Sequence, residues 1–151
     1  MRVVLQRVGE ASVIIDGKIH ASIAKGLLLL LGVEGEDKQE DIDWLCKKVL
    51  GMRIFPDEEG KMNLSVKDVE GEIIVVSQFT LHANLKKGTR PSFIRAARPE
   101  VAIPLYEKFV KDIEAGLGKP VGTGQFGADM KVSLLNDGPV TIIMDSKNRS
   151  F

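Results

Sequence analysis

The stretch from Arg2 to Val33 leaves no space for a helix. Arg2 to Val8, Ala11 to Asp16, Lys18 to Ile23 and Leu27 to Val33 each read as strands, and Asp16-Gly17 and Lys25-Gly26 read as the turns between them. Four strands in succession predict antiparallel hairpins. They fit a doubly wound parallel sheet poorly, because such a sheet needs a crossover helix between its strands.

Helical periodicity first enters after the acidic loop Glu34-Gly35-Glu36-Asp37. Ile42, Leu45, Cys46 and Val49 lie on one face of a helix expected over Lys38 to Leu50, with Asp37 as N-cap and Gly51 as the stop. Met52 to Phe55 reads as a short strand closed by Pro56-Asp57-Glu58-Glu59-Gly60. Gly71 then opens Glu72-Ile73-Ile74-Val75-Val76-Ser77, apolar on both faces and so central in its sheet. The segment Lys86 to Pro99 is irregular and basic. A second amphipathic helix carries Tyr106, Phe109, Val110, Ile113 and Leu117, with Pro104 in its first turn or at a kink and Gly116 and Gly118 at its end. Beyond the glycine-rich loop Gly122 to Gly127, Met130, Val132 and Leu134 alternate on a strand leading to Gly138-Pro139 and a last strand, Val140 to Met144. Many short strands with two helices between them predict an α+β fold: an antiparallel, curled, barrel-like sheet with two main helices, in one domain over residues 1–151.

Composition removes several classes of function. With 44% hydrophobic and 28% charged residues, the chain reads as an ordinary globular protein. A single cysteine, Cys46, forbids an intrachain disulfide and offers no sulfur cluster for zinc, which points to the reducing cytoplasm. The opening strand has no export signal, and the longest apolar run, Leu27 to Leu31, is far short of the roughly 20 residues of a membrane-spanning helix. Equal numbers of acids and bases, 21 each, leave no global footprint for nucleic acid, so any such contact must be local.

Few side chains are suited to acid–base chemistry. His20 sits in a hairpin without a nucleophile beside it and reads as a surface residue; His82 reads as a solvated residue at a strand end, though it adjoins a more interesting segment. Cys46 falls on the apolar face of the first helix and reads as core. The acidic loop and the Asp57-Glu58-Glu59 turn lack the ligand spacing of a calcium site, so neither a metal nor a cofactor is expected.

Three segments remain. In Ser77-Gln78-Phe79-Thr80-Leu81, polar groups interrupt an apolar strand as it leaves the core, either as a plain strand end or as hydroxyl, amide and freed N–H groups facing a substrate. In Asn136-Asp137-Gly138-Pro139-Val140-Thr141, glycine before proline permits a close backbone approach, or simply a turn. Between them, Lys86 to Arg98 holds five basic residues and no acid, either a solvated loop or a phosphate-holding patch.

Together with Lys87-Gly88-Thr89-Arg90-Pro91-Ser92-Phe93 and Gly124-Gln125-Phe126-Gly127-Ala128-Asp129-Met130, these segments closely resemble the D-aminoacyl-tRNA deacylase family, over essentially the whole chain. The resemblance implies a cytoplasmic homodimer that hydrolyses the ester joining a D-amino acid, or glycine mischarged on alanine tRNA, to the terminal adenosine. The partners implied are the acceptor end of aminoacyl-tRNA and a second copy of the chain. It implies a cis Gly138-Pro139 peptide inserted into the other subunit's pocket, where main-chain carbonyls hold the α-ammonium and exclude an L side chain. Ser77, Gln78, Phe79 and Thr80 would form the catalytic segment, with donors to the oxyanion at the Phe79 and Thr80 main chain. Phe126 would line the adenine site with Phe79, Met130 would contact substrate, and Lys86, Lys87 and Arg90 would meet phosphates. The Thr80 hydroxyl is either a nucleophile or an orienting group; with no recognisable base to activate it, orientation is preferred. Asp145 to Phe151 lies beyond these motifs and is assigned no role.

Two other readings fit parts of the pattern. A non-catalytic RNA-binding barrel would stack bases on Phe79, Phe93 and Phe126, and a hydrolase of small free esters would leave the basic loop unexplained.

Overall fold

The computed structural model describes residues 1–150. Its elements in chain order are β1 (Arg2–Ile15), β2 (Lys18–Ile23), β3 (Gly26–Gly32), α1 (Gln39–Gly51), β4 (Phe55–Pro56), β5 (Met62–Leu64), β6 (Glu72–Ser77), a 3₁₀ turn (Phe79–His82), α2 (Pro99–Leu117), β7 (Gly122–Thr123) and β8 (Met130–Asp145).

The N-terminal segments build one long hairpin rather than four successive strands. Arg2 to Val8 and Ala11 onward are a single strand, and only Asp16-Gly17, both at positive φ, reverses the chain. On the return arm, β2 pairs with the second half of β1 and β3 with its first half, so Lys25-Gly26 interrupts the arm without turning it back. The glycine signal there has another cause: a Cβ at Gly26 would overlap the Glu72 backbone, so Gly26 is what lets β6 lie alongside β3.

β6 occupies the centre expected of it, with Ile73 to Val76 fully or almost fully buried. It runs parallel to β3 on one side and to β7 on the other. The sheet is therefore mixed: antiparallel around β1, parallel around β6. Parallel neighbours require crossovers, and α1 and α2 lie in the two that this arrangement needs. The sheet curls until β7 meets β2, where a Cβ on Gly122 would stand 3.3 Å from that of Ala21.

Two apolar clusters follow from this geometry. One face of the sheet, through Val3, Leu5, Leu29 and Val75, packs under the helices against Leu45, Val49, Phe109 and Ile113. The other curls on itself around Val13, Leu28, Ile74 and Val76, with Met130 and Val132 at its border. Cys46 is buried as expected, and burial pushes its thiol up to about 12, aided by Asp112 and Asp43. Pro99 starts α2, whereas Pro104 falls inside the helix beyond the first turn. Lys38, not Asp37, caps α1, because the Asp37 carboxylate is taken by the Met1 ammonium at 2.7 Å and the Glu34 N–H at 2.6 Å.

β8 is the second departure from the expected order. The two strands read on either side of Gly138-Pro139 are one strand paired to β1 throughout. The register passes from Gln6 opposite Thr141 to Val8 opposite Asn136, so residues 137–140 bulge out opposite Arg7 alone. The Gly138-Pro139 peptide is cis and both residues are exposed. After β8, Ser146 accepts a hydrogen bond from the Met1 ammonium and donates to Asp41, while Arg149 lies over the Trp44 ring. Phe151 lies outside the described residues. Among those residues no helix is long and apolar enough to cross a membrane.

Candidate active site

β6 delivers the first signature segment to the mouth of a cavity. Gln78 N–H extends the sheet ladder by donating to the Leu31 carbonyl at 2.8 Å, and the chain then winds into the 3₁₀ turn. This tight turn fits because Gly32 beneath it has no side chain: a Cβ there would stand 3.0 Å from Leu81 Cβ and 3.2 Å from the Gln78 carbonyl. At the start of the turn the Phe79 and Thr80 N–H groups have no acceptor among the described residues, as expected of the first donors of a helical turn.

The cavity has a volume of about 680 Å³. It is lined by Ser77, Gln78 and Phe79, by Phe93 with Ala96 to Pro99, and by Phe126 to Met130 with Val132. Phe79 meets Phe93 edge to face at 5.1 Å. Phe126 leans on Tyr106, 6.5 Å away, and the Tyr106 hydroxyl donates to the Val75 carbonyl, fixing α2 beneath the strand that feeds the site. Burial pushes the Tyr106 phenol up to about 12, so it stays a neutral donor. Gly124 makes space for Met130, whose sulfur a Cβ at that position would overlap.

The site lacks the parts of a nucleophilic triad. Thr80 Oγ1 accepts a hydrogen bond from Gln78 Nε2 at 2.6 Å, and among the described residues no carboxylate or imidazole bonds to it. His82 is turned away from the cavity. It is 0% exposed, which overturns its reading as a solvated residue, and its Nδ1 lies 2.8 Å from Glu34 Oε1 without the alignment of a directed hydrogen bond. Burial lowers its pKa below the ordinary 6.5, with Arg2 and the N-terminal ammonium adding to that effect and the Gly32 carbonyl and Glu34 opposing it. What the cavity offers chemically beside the donor turn is main-chain N–H, hydroxyl and amide, in a largely apolar surround where such donors act strongly, with Arg98 and Asp129 the charged residues of its lining.

Ser77, Gln78, Phe79, Phe126 and Met130 thus share one cavity, with Thr80 exposed at its edge. Lys86, Lys87 and Arg90 are exposed on a loop that projects beyond Phe93 and is closed at its neck by reciprocal Asn84 and Ser92 hydrogen bonds of 2.8 and 2.9 Å. Gly138 and Pro139 do not line the cavity. They ride the β8 bulge, which β1 and β3 separate from β6.

Sequence reasoning missed the residues that hold this bulge. Arg7 is 9% exposed, and its Nε donates to the Asp137 carbonyl at 2.8 Å. Asn136 bridges the bulge, accepting from Val140 N–H at 2.9 Å and donating to Thr141 Oγ1 at 3.0 Å. A signal was available for Arg7. It stands in the inward phase of Val3 and Leu5, and a buried guanidinium demands acceptors.

These features define a small curled-sheet protein whose site presents main chain, hydroxyl and amide groups to a largely apolar cavity. Residues 4–145 match the family described as D-Tyr-tRNA(Tyr) deacylase, and the chain belongs to that family. It is 63% identical over 149 residues to a D-aminoacyl-tRNA deacylase of Bacteroides thetaiotaomicron and 66% identical to one of Flavobacterium psychrophilum, covering 99% of each chain in both cases. Among solved structures it is similar to a c-Myc DNA Unwinding Element Binding Protein, with a TM-score of 0.91, 39% identity and coverage of 96% of this chain and 98% of that one. A probable eukaryotic D-amino acid tRNA deacylase shares the fold, with a TM-score of 0.82, 19% identity and coverage of 95% and 98%.

Proposed function

We propose that the protein hydrolyses the ester bond of D-aminoacyl-tRNA, releasing the D-amino acid and tRNA. Membership of the deacylase family supports the reaction class, that of a hydrolase acting on an ester. The observation that carries the site is the turn that begins at Phe79, where the Phe79 and Thr80 N–H groups have no acceptor among the described residues, at the edge of a cavity of about 680 Å³. The terminal adenosine enters between Phe79 and Phe126, near Met130, and Ser77 and Gln78 orient the ribose and ester. Water attacks the carbonyl carbon with help from the adjacent ribose 2′-hydroxyl, and the Phe79 and Thr80 N–H groups stabilise the oxyanion. An aminoacyl ester is already activated, so orientation and a few fixed donors suffice. Thr80 orients; its hydroxyl is held by Gln78 and has no base.

Chirality is checked by a second copy of the chain. Exposure of Gly138 and Pro139, together with their absence from their own cavity wall, supports insertion of the bulge into a partner's cavity. There the carbonyls of the bulge take the α-ammonium, and an L side chain is shut out by contact with main chain. Glycine, with no side chain to exclude, is admitted. Lys86, Lys87 and Arg90 hold acceptor-end phosphates.

The exposed Phe79, 54% accessible beside Phe93, also favours a second reading, a barrel that stacks bases without turnover. Matched D- and L-aminoacyl-tRNA, scored for release of each amino acid, decides between them. Selective D release is expected. Equal release removes the proofreading role, and binding of bare single strands without release favours the second reading. Thr80→Ala retaining single-turnover deacylation is expected; a trapped adduct on Thr80 would overturn its orienting role.

A further inference from the structure

We infer that Glu34 is a positioning residue that keeps the basic loop and the donor turn in register, so that RNA held by the loop delivers its ester to the Phe79 and Thr80 N–H groups. The inference rests on the reading of the site given above. Glu34 follows β3, outside the cavity, and its side chain is 18% exposed. One of its oxygens, Oε1, is hydrogen-bonded to one wall and packed against the other. Arg95 Nη2 donates to it at 2.7 Å, and His82 Nδ1 lies 2.8 Å away. His82 ends the 3₁₀ turn that Phe79 begins. Arg95 lies between Phe93 and Ala96, which line the opposite wall.

The backbone around Glu34 is fixed independently. Its N–H donates to Asp37 Oδ2 at 2.6 Å, and Asp37 is in turn paired with the Met1 ammonium. Glu34 bridges Ala96 across a short antiparallel contact, and Ala97 N–H donates to the Val33 carbonyl at 2.8 Å. The carboxylate therefore projects from a fixed base and joins two segments that approach the cavity from different parts of the chain. Electrostatics alone gives the opposite expectation. A carboxylate beside a phosphate-binding loop repels RNA, so its removal should tighten binding. A positioning role predicts that removal weakens it.

Steady-state deacylation of D-aminoacyl-tRNA by Glu34→Ala, Glu34→Gln, Arg95→Gln and the Glu34→Ala/Arg95→Gln double variant tests this. Glu34→Ala should raise KM about tenfold, the scale of a hydrogen bond to a charged group, and Glu34→Gln should recover most of the loss by keeping an acceptor oxygen. Arg95→Gln should raise KM in the wild-type background and add little to Glu34→Ala. A KM for Glu34→Ala at or below that of wild type, or full additivity in the double variant, would overturn the role of Glu34. If Glu34→Ala does not fold, the same cycle run with Glu34→Met, which keeps the length of the side chain but removes the acceptor oxygen, decides, and additivity there has the same meaning. Absence of D release by the wild-type protein would instead remove the site reading on which the inference rests.

Discussion

Arg7 reaches from β1 to donate to the Asp137 carbonyl at 2.8 Å, and the same guanidinium donates to the Ile54 carbonyl at 2.6 Å. The exposed Gly138-Pro139 bulge is thus anchored to a buried charge, and a Cβ on Gly138 would stand 3.2 Å from Arg7 Nη2. Arg7→Met leaves two carbonyls short of a donor and should lower unfolding free energy by about 1–3 kcal/mol. It should also reduce D release about tenfold through misplacement of the bulge. Denaturant unfolding and single-turnover assays read the two effects separately. Lower stability with unchanged D release and D/L ratio would make Arg7 a structural residue only.

Gly32 supports the donor turn from below. A methyl group at position 32 would meet Leu81 Cβ at 3.0 Å and His82 Cδ2 at 3.1 Å, so the turn must shift by tenths of an ångström to admit it. Gly32→Ala should therefore cost about 1–2 kcal/mol of stability and lower kcat more than it changes KM. An unaltered kcat in a folded variant would mean that the turn tolerates displacement and is not the source of oxyanion donors.

His82 gives stability a pH dependence of known sign. Burial lowers its pKa below the ordinary 6.5, so between that value and its folded pKa the unfolded chain binds the proton that the folded chain refuses. This contribution is fully present above about pH 6.5 and is lost as pH falls through the folded pKa. Carboxylates act in a separate, more acid window: against the upward push of burial, bonds from Ser146, the Lys38 N–H and Lys147 hold Asp41 below 3.8. Thermal unfolding followed from neutral pH to about pH 5 should show Tm falling, and His82→Gln should flatten the fall. An equal slope in the variant would assign the loss to other groups.

Much of the fold could be read locally. The continuous apolar run Ile73 to Val76 identified a central strand, and Asp16-Gly17 identified a true reversal, because each signal concerns the residue's own backbone or its own two faces. Lys25-Gly26 misled because Gly26 is required by Glu72, far away in sequence, and not by a turn. Gly138-Pro139 reads as a turn until its neighbours on β1 are known; only the opposing register makes it a bulge. His82 looked solvated for the same reason, since its burial depends on Gly32 and Glu34 from another segment. Ser77 to Thr80, read by itself, fits a plain strand end as well as a site, and it stands out only beside the other family motifs.

Phosphate contact by the basic loop would have a salt signature. Lys86, Lys87 and Arg90 are exposed together on a loop tied at Asn84 and Ser92. Each phosphate contact contributes about −0.7 to −0.9 to the slope of log affinity against log salt. Replacing Lys86 and Lys87 together by Gln should flatten the slope for tRNA by about 1.5. A slope identical to wild type would place RNA elsewhere.

A composite site would make a demand on symmetry. A twofold interface is self-complementary, so if Gly138-Pro139 of one subunit reaches the other's cavity near Met130, the reverse contact forms at the same time. Leu135 lies on β8 between Met130 and Pro139 and is 59% exposed, an apolar side chain that a reciprocal contact between the two copies of β8 would cover. Leu135→Arg should bring two like charges together there, shift the protein to monomer in sedimentation, and abolish D release while leaving the fold intact. Complementation supplies the positive test. Phe79→Pro removes an oxyanion donor at a turn position that accepts proline. Gly138→Val, at φ 146 and with Val140 only 2.8 Å from the new Cβ, disables the bulge. Each homodimer should be inactive. Random mixing makes half the dimers heterodimers, each with one intact composite site, so about a quarter of the wild-type activity per subunit should return. Verified heterodimers without any recovery would mean that both segments act within one subunit.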